Sequence, residues 1–221
     1  MGLEQKNVSH RSAQNNWHKV HPPQSQWSEF ISLTKSIAVF LAIAFMLRAS
    51  VVEAFKIPSS SMEPTLRIGD HILVNKLSYG FRLPLIKETL SLFREPKRGD
   101  VVVFTLPDDS ATPEIDESDT NIIKRVIGLP GDTVEVRGMS VYINGQLYSD
   151  ETAKWLESGR KNFGPVSVPP GRVLLLGDNR DYSKDSRYWK DPFLDIHRIK
   201  GKAFIIYWSW FAFTRMFDII R

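Results

Sequence analysis

From Lys56 onward the chain holds no helical period over fifteen residues, and this constrains its fold more than any other feature of the 221 residues. Apolar residues come instead in short β-like runs divided by Gly, Pro, Asn and Asp. His71-Ile72-Leu73-Val74 follows Gly69-Asp70, and Val101-Val102-Val103-Phe104 follows Gly99-Asp100. Ile122–Ile127 precedes Gly128-Leu129-Pro130-Gly131-Asp132, Val173–Leu176 follows Pro169-Pro170-Gly171, and Ala203–Trp208 closes the series. Val141-Tyr142-Ile143 and Gln146-Leu147-Tyr148 flank Asn144-Gly145, the pair that best favours a tight hairpin turn. The pattern predicts a mainly β domain over residues 56–221, with antiparallel sheets in a distorted barrel-like arrangement.

The N-terminal part reads differently. Residues 1–30, rich in Asn, Gln, Ser and His and without an apolar period, read as a disordered tail. Ser36–Leu47 then runs without a charge between Lys35 and Arg48. That core is only about 18 Å long as a helix, short of a hydrocarbon layer of roughly 30 Å. The wider segment 31–55 is long enough if Lys35 and Arg48 snorkel to the two interfaces. A buried core helix, a cleaved secretory signal and an uncleaved membrane anchor all remain open on composition. As an anchor, with Lys6, Arg11, Lys19 and Lys35 before it, the segment would leave the tail in the cytoplasm and the rest of the chain outside.

Cysteine is absent, which excludes disulfide scaffolds, thiolate metal sites and every cysteine nucleophile. The net charge of +4 is spread: beyond residue 55 there are 24 basic against 22 acidic residues and no dense basic stripe. Nucleic-acid binding needs concentrated positive charge, so it is not expected. Asp108–Asn121 carries six acidic residues and no basic one, and reads as a solvated loop.

Chemistry is suggested by three segments. In Ile122–Ile127 a period of two places Lys124 beside Ile122 and Val126, and Arg125 beside Ile123 and Ile127. Both faces are apolar, so at least one cation is driven toward a low-dielectric setting. Desolvation can lower a lysine pKa enough for a neutral amine to act as a base, which arginine cannot do. Snorkelling, or pairing with acids, is the alternative. Ile57-Pro58-Ser59-Ser60-Ser61-Met62-Glu63-Pro64 sets three serines between prolines that stiffen the backbone. A serine beside a base is the minimal covalent catalyst of acyl transfer; a Ser-rich linker is the plain reading. Gly177–Trp189, dense in charges and hydroxyls, could orient a catalytic group or only close a turn. His10, His18 and His21 lie in the tail, and neither His71 nor His197 has a distinctive context, so zinc is not expected.

At these segments the sequence resembles type I signal peptidases, membrane-anchored Ser/Lys endopeptidases. The resemblance rests on Pro-Ser-x-Ser-Met-x-Pro-Thr-Leu-x-x-Gly-Asp at Pro58–Asp70, Lys-Arg-x-x-Gly-x-Pro-Gly-Asp at Lys124–Asp132 and Gly-Asp-Asn-Arg-Asp-x-Ser-x-Asp-Ser-Arg-Tyr-Trp at Gly177–Trp189, in that order. Gly99–Phe104 matches a fourth, structural box. The resemblance implies Ser61 as nucleophile and Lys124 as general base. It also implies Ser59 as an oxyanion donor alongside the Ser61 N–H, Ser183 as the residue orienting the lysine, and Asp185 with Arg187 as a brace. It implies a mostly antiparallel β fold, no metal or organic cofactor, and cleavage of signal peptides from exported preproteins after small residues (Ala-x-Ala). It favours an uncleaved single-pass anchor at 31–55 in a bacterial plasma membrane, with a probable monomer outside. After Trp189, the stretch Lys190-Asp191-Pro192-Phe193-Leu194 departs from the family pattern. Residues 209–221 and Tyr79–Leu92 carry apolar side chains suited to the membrane interface. Rival readings are a related Ser/Lys maturation or self-cleaving peptidase, and a catalytically silent membrane-tethered β module.

Overall fold

The computed structural model describes residues 26–79, 95–106, 121–156, 162–210 and 212–221. Tail residues 1–25, most of Tyr79–Leu92 and the acidic stretch up to residue 120 fall outside this range. The chain divides into two units, residues 1–43 and 44–221.

Helix α1 (Gln26–Val51) has 26 residues, about 39 Å at 1.5 Å per residue. Within it, Trp27–Phe45 is apolar and long enough to cross a membrane. Its apolar residues are spread round the helix rather than gathered on one stripe, and every side chain from Trp27 to Phe45 is exposed. The helix begins inside the stretch assigned to the tail. It also ends before residue 55: Val52–Lys56 forms strand β1, paired residue by residue with β2 (Asp70–Asn75), from Val52 opposite Asn75 to Lys56 opposite His71. The sheet thus takes the backbone hydrogen bonds that a longer helix would have used.

The remaining strands are β3 (Val101–Phe104), β4 (Ile122–Gly128), β5 (Thr133–Arg137), β6 (Ser140–Ile143), β7 (Gln146–Tyr148), β8 (Phe163–Ser167), β9 (Arg172–Leu176), β10 (Leu194–Asp195) and β11 (Ile199–Ser209). They form a seven-stranded sheet in the order β1-β2-β11-β3-β4-β9-β10 and a four-stranded sheet in the order β7-β6-β5-β8. Every strand pairing in both is antiparallel, as the turn-punctuated pattern predicts. The Asn144-Gly145 turn has φ of 53° and 78° at its two residues, the left-handed pair that joins a twisted hairpin without splaying it.

Alternation along the strands sorts the core. In β3, Val101 and Val103 enter one apolar cluster with Ile57, Met62 and Leu66, while Val102 and Phe104 enter a second with Val126 and Trp189. A third cluster, of Ile127, Val134, Val136, Leu174 and Leu176, joins strands of the two sheets. All seven residues of β4 are buried, as apolar residues on both faces predict. The atypical Lys190–Leu194 stretch is closed locally: Asp191 pairs with Arg172 and accepts the Phe193 N–H at 3.0 Å, and Leu194 begins β10 on the edge of β9.

Gly128, at the end of β4, lets that strand pass closely against the second sheet. A Cβ there would lie 2.8 Å from Val134 Cγ2 and 2.9 Å from Val168 Cγ2. Overpacking of this kind costs about 1–3 kcal/mol. Gly128→Ala should therefore lower unfolding stability by that amount in chemical denaturation, whereas a wild-type midpoint would show that the two sheets separate freely.

Candidate active site

The serine segment follows β1 directly and is held as a compact loop. Ile57 exchanges backbone hydrogen bonds with Asp70 and Gly69, and Leu66 N–H donates to the Met62 carbonyl at 2.8 Å. Ile57, Met62 and Leu66 are the apolar pins, each at most 2% exposed. Between them the Ser61 side chain is turned into the protein.

There it meets β4. Lys124 Nζ donates to Ser61 Oγ at 2.9 Å and to the Ile123 carbonyl at 3.0 Å. Both residues are buried, Lys124 at 5% and Ser61 at 7% exposed. Ser59, exposed on the same loop, has its Oγ 3.3 Å from Ser61 Oγ. Residues 63 positions apart thus form a buried hydroxyl–amine pair with a second hydroxyl beside it.

The third segment, following β9, supports this pair from the far side. Asn179 N–H donates to the Ser61 carbonyl at 3.1 Å, and its Nδ2 donates to the Ser60 carbonyl at 3.2 Å. Gly177 lies against the loop so closely that a Cβ would fall 2.5 Å from the Ser61 carbonyl oxygen and 2.2 Å from Ser183 Oγ. Glycine is required here by close approach, and it sits between Ser61 and Ser183. The Ser183 hydroxyl is buried and has no hydrogen-bond partner of ordinary geometry, although its approach to Asp185 helps to hold that carboxyl low. Contact between Ser183 and the Lys124 amine, which the resemblance implies, is therefore not among the hydrogen bonds of this site.

Asp185 and Arg187 form the stiff base of this loop. Arg187 donates to both Asp185 oxygens, at 2.8 and 2.9 Å, and to the Arg180 carbonyl at 2.5 Å; Gly177 N–H donates to Asp185 at 3.0 Å. Burial alone would raise the Asp185 carboxyl, but the Arg187 guanidinium and the Gly177 N–H outweigh it and hold Asp185 below the usual carboxylate range.

Arg125, next to Lys124, is answered by a different acid. Its Nε and NH2 grip both oxygens of Asp178 at 2.7 Å, while NH1 donates to the Gly99 and Arg221 carbonyls, also at 2.7 Å. Thr65 Oγ1 donates to the same Asp178 at 2.5 Å, tying the end of the serine loop to this pair. Sequence reasoning singled out neither Asp178 nor Asn179, although both stand inside the third box. The signal available was only that a buried Arg125 must find an acid. The histidines stay apart from this chemistry: His71 faces the Gly69 carbonyl and packs edge-on against Tyr207, and His197 is exposed.

A cavity of about 380 Å³ opens beside the serine loop, lined by Phe55, Ile57, Pro58, Ile72, Val103 and Ile123 among others. Lys56 and Asn121 complete its otherwise apolar lining, and Pro58 and Ile123 directly precede Ser59 and Lys124 in the chain. Among the described residues, no three His, Asp or Glu side chains are grouped to hold a metal ion.

Removing one partner of a buried ion pair strands the other charge, at a cost of about 3–5 kcal/mol. Asp178→Ala should destabilise the chain by that amount in denaturant titrations, and the double change Arg125→Met, Asp178→Ala should cost less than the single one. A single variant of wild-type stability would show that Asp178 does not carry the Arg125 charge.

The family model described as signal peptidase, peptidase S26, matches residues 30–208. Signal peptidase I of Pseudomonas aeruginosa is 38% identical over 211 residues, covering 80% of this chain and 72% of that protein. Probable signal peptidase I-2 of Synechocystis sp. is 39% identical over 190 residues, covering 86% and 77%. A crystal structure of a signal peptidase I from Enterococcus faecalis V583 is 31% identical with a TM-score of 0.38, covering 49% of this chain and 97% of that one. By the extent of the family match and of both relatives, the chain belongs to the S26 signal peptidase family.

Proposed function

We propose that the protein is a membrane-anchored serine endopeptidase that releases signal peptides from exported preproteins, with Ser61 as nucleophile and Lys124 as general base. The observation that carries this reading is the 2.9 Å contact between Lys124 Nζ and Ser61 Oγ, both out of water. Burial favours the uncharged amine, the form that can take a proton. Ser61 Oγ attacks the scissile carbonyl as Lys124 accepts its proton; the amine then returns that proton to the leaving nitrogen and activates water for deacylation. The Ser61 N–H and the Ser59 hydroxyl, whose oxygen stands 3.3 Å from Ser61 Oγ, would hold the oxyanion. Asp185 and Arg187 brace the loop carrying Ser183, and Gly177 keeps the space between Ser183 and the nucleophile open.

The cavity lined by Phe55, Ile57, Ile72, Val103 and Ile123 suits small apolar side chains before the cut, in keeping with Ala-x-Ala sites. Helix α1 is the proposed anchor, with basic residues before it facing the cytoplasm of a bacterial cell and residues 56–221 on the outer side. Sharing a bilayer with signal peptides raises their effective concentration. Trp210, Phe213, Phe217 and Ile219 are each more than 60% exposed, which supports contact of this end with the membrane interface. Ile220 instead packs in the core, so only part of 209–221 is available for that contact.

Digestion of a preprotein by the full chain in detergent micelles tests the reaction. Wild type should release a signal peptide, Ser61→Ala and Lys124→Arg should not, and Ser59→Ala should lose about 10²–10³-fold in kcat. Undiminished cleavage by Ser61→Ala would remove the assignment. For the membrane contact, Trp210 fluorescence should be quenched by lipids brominated at shallow depth in vesicles; an unquenched signal would place that face in water.

A further inference from the structure

The family match ends at residue 208, yet the residues after β11 return to the serine loop at separate points. Arg215 NH2 donates to the Thr65 carbonyl at 2.7 Å and to Asp70 Oδ2 at 2.8 Å, and NH1 reaches the Pro64 carbonyl at 3.4 Å. Ile220 is 6% exposed and shares an apolar cluster with Ile57, Met62 and Leu66, the three pins of the loop. The Arg221 carbonyl accepts from Arg125, the neighbour of Lys124, at 2.7 Å.

This returning segment is itself fastened to β11. Phe217 N–H donates to the Ile206 carbonyl at 2.7 Å, Ile206 N–H to Asp218 at 3.0 Å, and Ile220 N–H to Phe204 at 3.1 Å. Ser209 Oγ, at the end of β11, donates to the other oxygen of Asp70 at 2.7 Å. Asp70 ends the serine box, so its buried carboxylate joins the loop's exit to the returning segment. The loop is therefore gripped twice. Asn179 and Asp178 hold Ser60, Ser61 and Thr65 from one element, and Arg215 holds Pro64, Thr65 and Asp70 from another.

We propose that Arg215 is a positioning residue for Ser61, clamping the exit of the nucleophile loop through the Pro64 and Thr65 carbonyls. The proposal rests on the reading of Ser61 as nucleophile. A planar guanidinium suits the task because it can bind two carbonyls and a carboxylate in one fixed fork. With one grip removed, the loop would pivot about Asn179, and a displacement of about 1 Å at a reacting atom can cost on the order of 10²-fold in rate. The distance from Arg215 to the loop exit, rather than to Ser61 itself, makes the effect one of placement.

The test uses the full chain in detergent micelles, with kcat and KM on a preprotein, thermal unfolding, and amide hydrogen exchange across residues 58–66. Arg215→Met should lower kcat about tenfold or more and leave KM within about twofold. Exchange should quicken at residues 62–66 but not in β4 or β9. Arg215→Lys, which keeps the charge but not the fork, should recover only part of the rate. Should Arg215→Met fail to fold because the Asp70 carboxylate loses its cation, the double variant Asp70→Asn, Arg215→Met removes that charge and should show the same kcat loss. Wild-type kcat in either variant overturns the clamp. So does a rate loss matched by quickened exchange throughout β4 and β9, or failure of both variants to fold, since either makes Arg215 a general stabiliser. Failure of the functional reading looks different, because wild type itself would then cleave nothing.

Discussion

Two cations side by side in a strand with no exposed residue make a demand that the rest of the domain meets. Along β4, Lys124 and Arg125 are both out of water, and a buried cation is tolerated only where hydrogen-bonding partners answer it. Arg125 is answered in full: a bidentate carboxylate from Asp178 and the carbonyls of Gly99 and Arg221. Those partners come from the third box, the loop before β3 and the end of the described chain, so one guanidinium ties together segments distant in sequence. Lys124 donates to the Ser61 hydroxyl and to its own neighbour's carbonyl. The proposed role of Lys124 in proton transfer draws on the different chemistry of the two side chains. Arginine stays charged and needs its acid, whereas a lysine beside a hydroxyl can exist neutral.

The serine loop gains its rigidity from the same economy of partners. Its apolar pins sit in the core, its carbonyls are taken by Asn179 on one side and Arg215 on the other, and Thr65 joins the Arg125–Asp178 pair. Asp185, kept ionised by Arg187 despite complete burial, stiffens the turn from which Asn179 and Gly177 reach the loop. The loop that carries Ser61 Oγ to 2.9 Å from Lys124 Nζ is thus held by packing and by partners from several elements.

Much of the scaffold is legible in the sequence. Turn residues cut the chain where β2, β3, β4 and β9 begin or end, Asn144-Gly145 marked a hairpin, and apolar residues of both parities along 122–127 announced a strand covered on both faces. Other strands escaped for physical reasons. The residues of β1 continue an apolar segment without a break, and nothing local shows that β2 will claim their hydrogen bonds. Edge strand β8 contains Gly164-Pro165 and is largely exposed, so it lacks the period by which strands are recognised. Strand β5 does alternate Thr-Val-Glu-Val-Arg, and that signal was available but short.

For the site, the sequence by itself determined the chemical inventory: a stiffened serine segment, a lysine forced toward the interior, a charged loop after a buried strand, and an apolar helix ahead of them all. These follow from residue type and local period, which act over a few positions. The motif resemblance singles out Ser61 among the three serines, but only the tertiary structure decided that Asp178 rather than another acid answers Arg125, that Ser183 lies across Gly177 from Ser61, and that the segment beyond β11 comes back to hold the loop. Those facts depend on contacts between residues dozens of positions apart, selected by close packing and by the need to partner every buried polar group, and no local pattern encodes them.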